Sequence, residues 1–180
     1  MTRDFIDGER KRTVANLVVE CLEKECVRHV FGFPGEETED LLFALADSAV
    51  SFVPCRQEQG AAFIADFWGR LTGRGGVCLA TLGPGATNPL TGVAGANLDK
   101  APSMAITAQG GLDRLHHVSH QRIDIVRMFE PVTKWNSPIY SPEAVPEVVR
   151  KAFKVAELEK PGAIHIELVE DVAKLSVPDH

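Results

Sequence analysis

Val14, Leu17, Val18, Cys21 and Leu22 recur at i, i+3, i+4, i+7 and i+8 within residues 13–26, beside the polar Arg12, Glu20, Glu23 and Lys24. That spacing predicts an amphipathic helix. The pattern then shortens: the apolar run HVFGF at 29–33 is closed by Pro34-Gly35 and followed by a helical stretch at 36–47. SFVPC at 51–55 leads into a helix over 58–73, GVCLATL at 76–82 leads through GPGATN into another, and SMAITA at 103–108 is a further apolar run. Residues 110–120 turn polar and rich in Gly and His, which predicts a functional loop. A short helix near IDIVRMF, a β-like segment over 131–139, a helix over 142–158 and a closing strand AIHIELV at 163–169 complete the chain. On its inner face the 142–158 helix carries Val145, Val148, Val149, Ala152, Phe153 and Ala156. Strands alternating with helices predict an α/β fold, a three-layer, doubly wound, mainly parallel sheet of six strands with helices on both faces. One domain over 13–175 is expected, with a polar arm over 1–12 and SVPDH at 176–180 as the start of an interdomain linker.

Composition narrows the partners. The 180 residues carry 25 acidic and 19 basic side chains, a net charge of −6, and 44% are hydrophobic. A chain of this length buries about 70% of its unfolded surface and needs no staples. This acidic balance gives no electrostatic footprint for nucleic acid or an anionic membrane. Cys21, Cys26, Cys55 and Cys78 contain no CxxC pair, and three of the four sit in apolar runs that read as core. Free thiols, no signal-like start and no run of 18 apolar residues predict a cytoplasmic protein.

In a doubly wound sheet, ligands bind beyond the carboxyl ends of the strands. The residues there are Pro34-Gly35, Gln57-Glu58-Gln59, Gly83-Pro84-Gly85 and Gln109-Gly110. A dinucleotide site needs GxGxxG with free helix N–H groups after the first strand, whereas GFPGEETED puts Glu36, Glu37, Glu39 and Asp40 there to repel a phosphate. No GK[ST] follows a Gly-rich segment, so a P-loop is absent as well. GPGATNPL reads in two ways: as a sharp strand-to-helix turn with Asn88 as N-cap before Pro89, or as a thin, rigid wall for an aromatic ring. Glu58 also reads in two ways, as an acid favoured at a helix N-terminus or as a carboxyl that shares a proton with a ring nitrogen. The second role requires burial to outweigh the helix end. His116, His117 and His120 lack a nearby carboxylate and predict no metal site.

Five blocks taken together, HVFGFPG, RQEQGAAF, GRLTGRGGVCLATLGPGATNPLTGVAGANLD, SHQRIDIVRMFEPVTKWN and EKPGAIHIELVEDV, resemble the pyrimidine-binding domain of thiamine-diphosphate enzymes, closest to the catabolic acetolactate synthases. The resemblance covers about residues 13–175. It implies that Glu58 hydrogen-bonds the pyrimidine ring nitrogen of thiamine diphosphate and favours its imino tautomer. The cofactor then decarboxylates pyruvate and joins the two-carbon unit to a second 2-keto acid. By position it implies a pyrimidine pocket of Phe33, Gly35, Thr81, Pro84 and Asn88, with Gln121 facing substrate and cofactor. His120 matches the catabolic type and would either assist proton transfer or line the cavity. Magnesium would bind with the diphosphate on a separate domain, supplied in cis or in trans, so these residues alone would be inactive. FAD occurs in some relatives but contacts regions mostly outside this chain. Pairing into a homodimer or higher assembly is implied too. Three departures, Gln57 for His, Glu36-Glu37 for a small-plus-Lys pair and Leu82 for Ser, bear on substrate identity more than on cofactor class. Another thiamine-diphosphate decarboxylase or lyase, or a non-catalytic association domain of the same fold, stays open.

Overall fold

The computed structural model describes residues 12–114 and 118–177. Thr13 opens the first helix with a capping box: its Oγ1 accepts from the Asn16 N–H, while Asn16 Oδ1 accepts from the Thr13 N–H at 3.0 Å. The helices are α1 (Val14–Lys24), α2 (Glu39–Ala46), α3 (Glu58–Thr72), α4 (Pro84–Thr87), α5 (Leu90–Leu98), α6 (Ile125–Phe129), α7 (Val145–Glu157) and α8 (Glu170–Ala173). Between them lie β1 (His29–Gly32), β2 (Ser51–Pro54), β3 (Gly76–Ala80), β4 (Ser103–Gln109), β5 (Trp135–Ile139) and β6 (Ala163–Val169). The six strands form one sheet in the order β2-β1-β3-β4-β6-β5, every neighbouring pair parallel. The expected α/β class and strand count are therefore found, and the sheet is wholly parallel.

Period-two alternation along each strand divides the core. Val30, Val77, Leu79, Met104, Ile106, Ile164 and Ile166 face α1, α2 and α7. Phe31, Cys78, Ala105 and Ala163 face α3, α5 and α6. The helix expected after GPGATN is α5, and GPGATN itself holds one more helical turn, α4, set apart from α5 where Pro89 has no N–H with which to continue the ladder. Cys21 and Cys78 are buried, Cys55 is half-buried and Cys26 is exposed, all four with free thiols. Cys55, read as core, is thus only partly so, since it lies one residue past the end of β2. Residues 175–177 run beside the start of α1, where Val14 N–H donates to Leu175 O and Val177 N–H to Arg12 O at 2.9 and 2.8 Å. No helix among the described residues is long and apolar enough to cross a membrane.

Candidate active site

The chain order reverses across β1: β2 lies on one side of it and β3 on the other. The carboxyl ends of β1 and β3 therefore border a topological switch point, where a doubly wound sheet opens a crevice. Residues 33–35 leave β1 at this point and residues 81–83 leave β3. The two turns touch. A Cβ on Gly35 would stand 2.5 Å from Thr81 Cβ, and one on Gly85 would stand 2.6 Å from Thr81 Cγ2, so neither position admits a side chain. Thr81 Oγ1 donates to Glu37 Oε2 at 2.6 Å, which ties the segment after β1 to the end of β3.

Glu58 enters this crevice from the first turn of α3. Its residue is only 8% exposed, and a buried carboxyl group needs a specific partner. Asn88 provides one, its Nδ2 donating to Glu58 Oε2 at 2.8 Å. The other oxygen, Oε1, lies 3.4 Å from where a Cβ on Gly85 would be. Bare backbone thus keeps that oxygen clear of side chains. Asn88 is not the N-cap expected from its place before Pro89: it is αR at the end of α4, and α5 begins without a side-chain cap. The amide that would have capped α5 points at Glu58 instead.

Gly83 has φ +57°, a left-handed backbone that favours glycine, and a Cβ there would be 2.5 Å from Gln121 O and 2.7 Å from Gln121 Cβ. Gln121 is itself left-handed, at φ +55°, an uncommon conformation for a residue with a side chain. The turn carrying His120 and Gln121 is pressed onto the Gly83–Pro84 bend. Contacts thus link Gly35, Thr81, Gly85, Glu58 and Asn88 in one series along the crevice, and Gln121 meets it at the Gly83–Pro84 bend. Phe33, 42% exposed, and the exposed His120 stand in loops beside it, and no hydrogen bond joins either to Glu58 among the described residues. His116 and His117 lie outside the described residues. Among the described residues, no three His, Cys, Asp or Glu side chains gather as a metal group would require.

Sequence reasoning missed one participant, Glu167, and left the partners of two residues it had named, Glu37 and Gln109, unassigned. Glu37, weighed as a phosphate-repelling charge and as part of a departure from the family pattern, is the partner of Thr81. Gln109, at the end of β4, donates through Nε2 to Glu167 Oε2 at 3.2 Å and to Ile123 O at 3.0 Å. Burial pushes the Glu167 carboxyl up to about 7; the Gln109 hydrogen bond opposes this, Asp124 adds to it and Arg122 relieves it. The available signal was the alternation within AIHIELV, where His165 and Glu167 interrupt an apolar strand on one face.

Residues 12–128 match the family model described as thiamine pyrophosphate enzyme, N-terminal TPP binding domain. The chain belongs to that family. Among relatives of this thiamine pyrophosphate-enzyme domain, a probable acetolactate synthase large subunit from Methanocaldococcus jannaschii is 41% identical over 158 residues, 88% of this chain and 27% of that protein. The catabolic acetolactate synthase of Raoultella terrigena is 41% identical over 160 residues, 88% of this chain and 28% of the relative. Acetolactate synthase of Bacillus subtilis is 39% identical over 163 residues, 90% and 28%. The domain therefore spans little more than a quarter of the relatives it matches, and the matches include both catabolic and large-subunit acetolactate synthases.

Proposed function

We propose that this domain grips the pyrimidine end of thiamine diphosphate in an acetolactate-synthase-like enzyme that decarboxylates pyruvate and ligates the two-carbon unit to a second 2-keto acid. The observation that carries this reading is the buried Glu58, with Oε2 engaged by Asn88 and Oε1 facing the bare backbone of Gly85. A flat nitrogen heterocycle fits such a cradle: glycines admit its face and a single shielded carboxyl meets its edge. When bound, thiamine diphosphate supplies an acidic ring carbon that adds to a 2-keto group and takes up the electron pair released with carbon dioxide. Glu58 holds a proton on Oε1 and shares it with the ring nitrogen, while Asn88 fixes the carboxyl rotamer. Gly35, Thr81 and Pro84 form the wall, Phe33 flanks it, and Gln121 with His120 faces the substrate side. Glu37, held by Thr81, keeps phosphate away from this end.

The diphosphate and its magnesium belong to a separate domain, in cis or in trans, so this chain alone turns over nothing. A few charge-assisted hydrogen bonds at about 1.5–3 kcal/mol each bind the pyrimidine weakly. Calorimetry on this chain is expected to detect no sub-micromolar thiamine diphosphate affinity, and such an affinity would count against the division of labour. Phe63, Ile64, Phe67 and Leu71 on α3 and Leu98 on α5 are 38, 43, 59, 84 and 77% exposed. So much exposed apolar surface supports self-association through these helices. The cytoplasm, where 2-keto acids and reduced thiols coexist, is the proposed compartment.

Glu58→Gln, which keeps the shape and removes the proton-sharing acid, tests the assignment in the assembled enzyme. Loss of about 10²–10⁴ in pyruvate turnover is expected. Turnover at the unmodified rate would sink the reading.

A further inference from the structure

Beneath the 119–124 turn lies a buried amide that the proposed chemistry does not use. Gln109 is 3% exposed at the last position of β4, and each polar atom of its side chain is engaged. Nε2 donates to Ile123 O at 3.0 Å and to Glu167 Oε2 at 3.2 Å, while Oε1 accepts from the Gly110 N–H at 3.1 Å. The orientation of the amide is therefore over-determined. A residue that merely filled this space would be apolar, because a buried amide is costly unless every group is satisfied. Glu167 is 3% exposed on β6, and it fixes which end of the amide points at the turn.

The carbonyl that Gln109 holds is two residues beyond Gln121. Immediately downstream, Asp124 Oδ1 caps α6 by accepting from the Arg127 N–H at 3.1 Å, and Asn136 Nδ2 donates to Val126 O at 2.6 Å. On its upstream side the turn presses Gln121 onto Gly83, in the left-handed conformation described above. A strained turn persists only where its surroundings impose it. We propose that Gln109 is a positioning residue: held by Glu167, its amide clamps the Ile123 carbonyl and thereby seats Gln121 against the Gly83 bend at the mouth of the Glu58 crevice. The clamp rests on geometry; its consequence for turnover rests on the thiamine-diphosphate reading.

Trypsin reads the clamp without any cofactor. Arg122 is exposed, and cleavage of the Arg122–Ile123 bond requires the clamped carbonyl to come free. In Gln109→Met, cleavage after Arg122 is expected to accelerate about tenfold or more relative to cleavage after Arg150 in α7, which reports global opening. In the assembled enzyme the same variant is expected to lower kcat about 10- to 100-fold while the thiamine diphosphate affinity is kept, because misplacing a reacting group by about 1 Å costs that much. Gln109→Asn keeps an amide but is one methylene short, and is read in the same way should Gln109→Met not fold. An unchanged Arg122-to-Arg150 cleavage ratio overturns the clamp, and an unchanged kcat overturns the positioning role. Full turnover in Glu58→Gln would instead bring down the cofactor reading and leave the proteolytic result standing.

Discussion

The two faces of the one sheet are built from different materials. Toward α1, α2 and α7 the strands present Val30, Val77, Leu79, Met104, Ile106, Ile164 and Ile166, an aliphatic layer of large side chains. Toward α3, α5 and α6 the same strands present, besides Phe31, the small residues Cys78, Ala105 and Ala163 and a buried polar group, Thr107, Gln109, His165 and Glu167. The polar side chains pair across β4 and β6: Thr107 Oγ1 shares a hydrogen bond with His165 Nε2 at 2.8 Å, and Gln109 with Glu167 at 3.2 Å. Phe129 of α6 stacks on the His165 ring, with centroids 4.0 Å apart. Glu58, Gln121 and the Gly83 bend all belong to this second side. One face supplies the stability that lets the other bury charge and amide groups where chemistry needs them.

Removing a large side chain from the aliphatic face should have the greatest effect on stability. Ile166→Ala, at a position 2% exposed, is expected to cost about 2–5 kcal/mol in urea unfolding. Cys78→Ala, equally buried but on the face of small residues, should cost about 1 kcal/mol. Equal costs would erase the distinction between the faces.

Acid and base on the polar face should pull stability in opposite directions. The Glu167 carboxyl is raised from 4.5 to about 7 by burial, so the folded chain holds a proton the unfolded chain has lost, and stability falls as pH rises through that window. Burial lowers His165 from 6.5 to about 3, so its contribution is complete above pH 6.5 and is lost as pH falls toward 3. Between pH 4.5 and 6.5 the two slopes oppose. Gln109, Asp124, Arg122 and Tyr140 face Glu167, while Thr107 and Phe129 face His165. Glu167→Gln should gain stability on the wild type as pH rises from 4.5 to 7, by up to about 3 kcal/mol. His165→Gln should gain on the wild type in the mirror sense, as pH falls from 6.5 toward 3. A flat difference curve for Glu167→Gln, from thermal melts across that range, would show that burial does not perturb the carboxyl.

The aliphatic face was legible in the sequence and much of the polar face was not. Val14, Leu17, Val18, Cys21 and Leu22 announce α1 because a 3.6-residue period is a local property, and the β6 run appears at its full length for the same reason. Glu58, Asn88 and Gly85 were legible as separate residues, yet their meeting depends on α3 and the end of β3 arriving at one switch point, which no window of sequence contains. Of the two readings offered for GPGATNPL, the cap at Asn88 fails, because local options, turn and cap, give no sign of a partner 30 residues away. Gln109 and Glu167, 58 residues apart, meet diagonally across β4 and β6, where the register sets Gln109 opposite Val169 and Glu167 opposite Thr107. Glu37 was discounted because its charge, and not its reach to Thr81, entered the argument.

A smaller effect is expected where the polar face meets the crevice. Gly83→Ala places a Cβ on a left-handed residue and 2.5 Å from Gln121 O, so the bend and the turn must part. Destabilisation of about 1–3 kcal/mol is expected, together with faster trypsin cleavage after Arg122. Gly60→Ala, in the same first turn as Glu58 but with nothing within 4 Å of the new methyl, should leave stability unchanged or raise it slightly. If Gly83→Ala behaved like Gly60→Ala, the contact between the bend and the Gln121 turn would carry no weight.

The smallest effect on folding should come from the outer side of the same helices. Phe67 and Leu71 project from α3 at 59 and 84% exposure, away from both the sheet and the crevice. Phe67→Ser with Leu71→Ser removes apolar surface that the monomer does not bury, so unfolding measured at high dilution should shift by no more than about 0.5 kcal/mol per site. Association should respond far more strongly, because an apolar patch of this kind is stabilised only by what covers it. Sedimentation velocity across a concentration series is expected to show the wild-type chain self-associating and the double variant remaining monomeric. Identical sedimentation of the two chains would mean that α3 and α5 do not pair with a second copy.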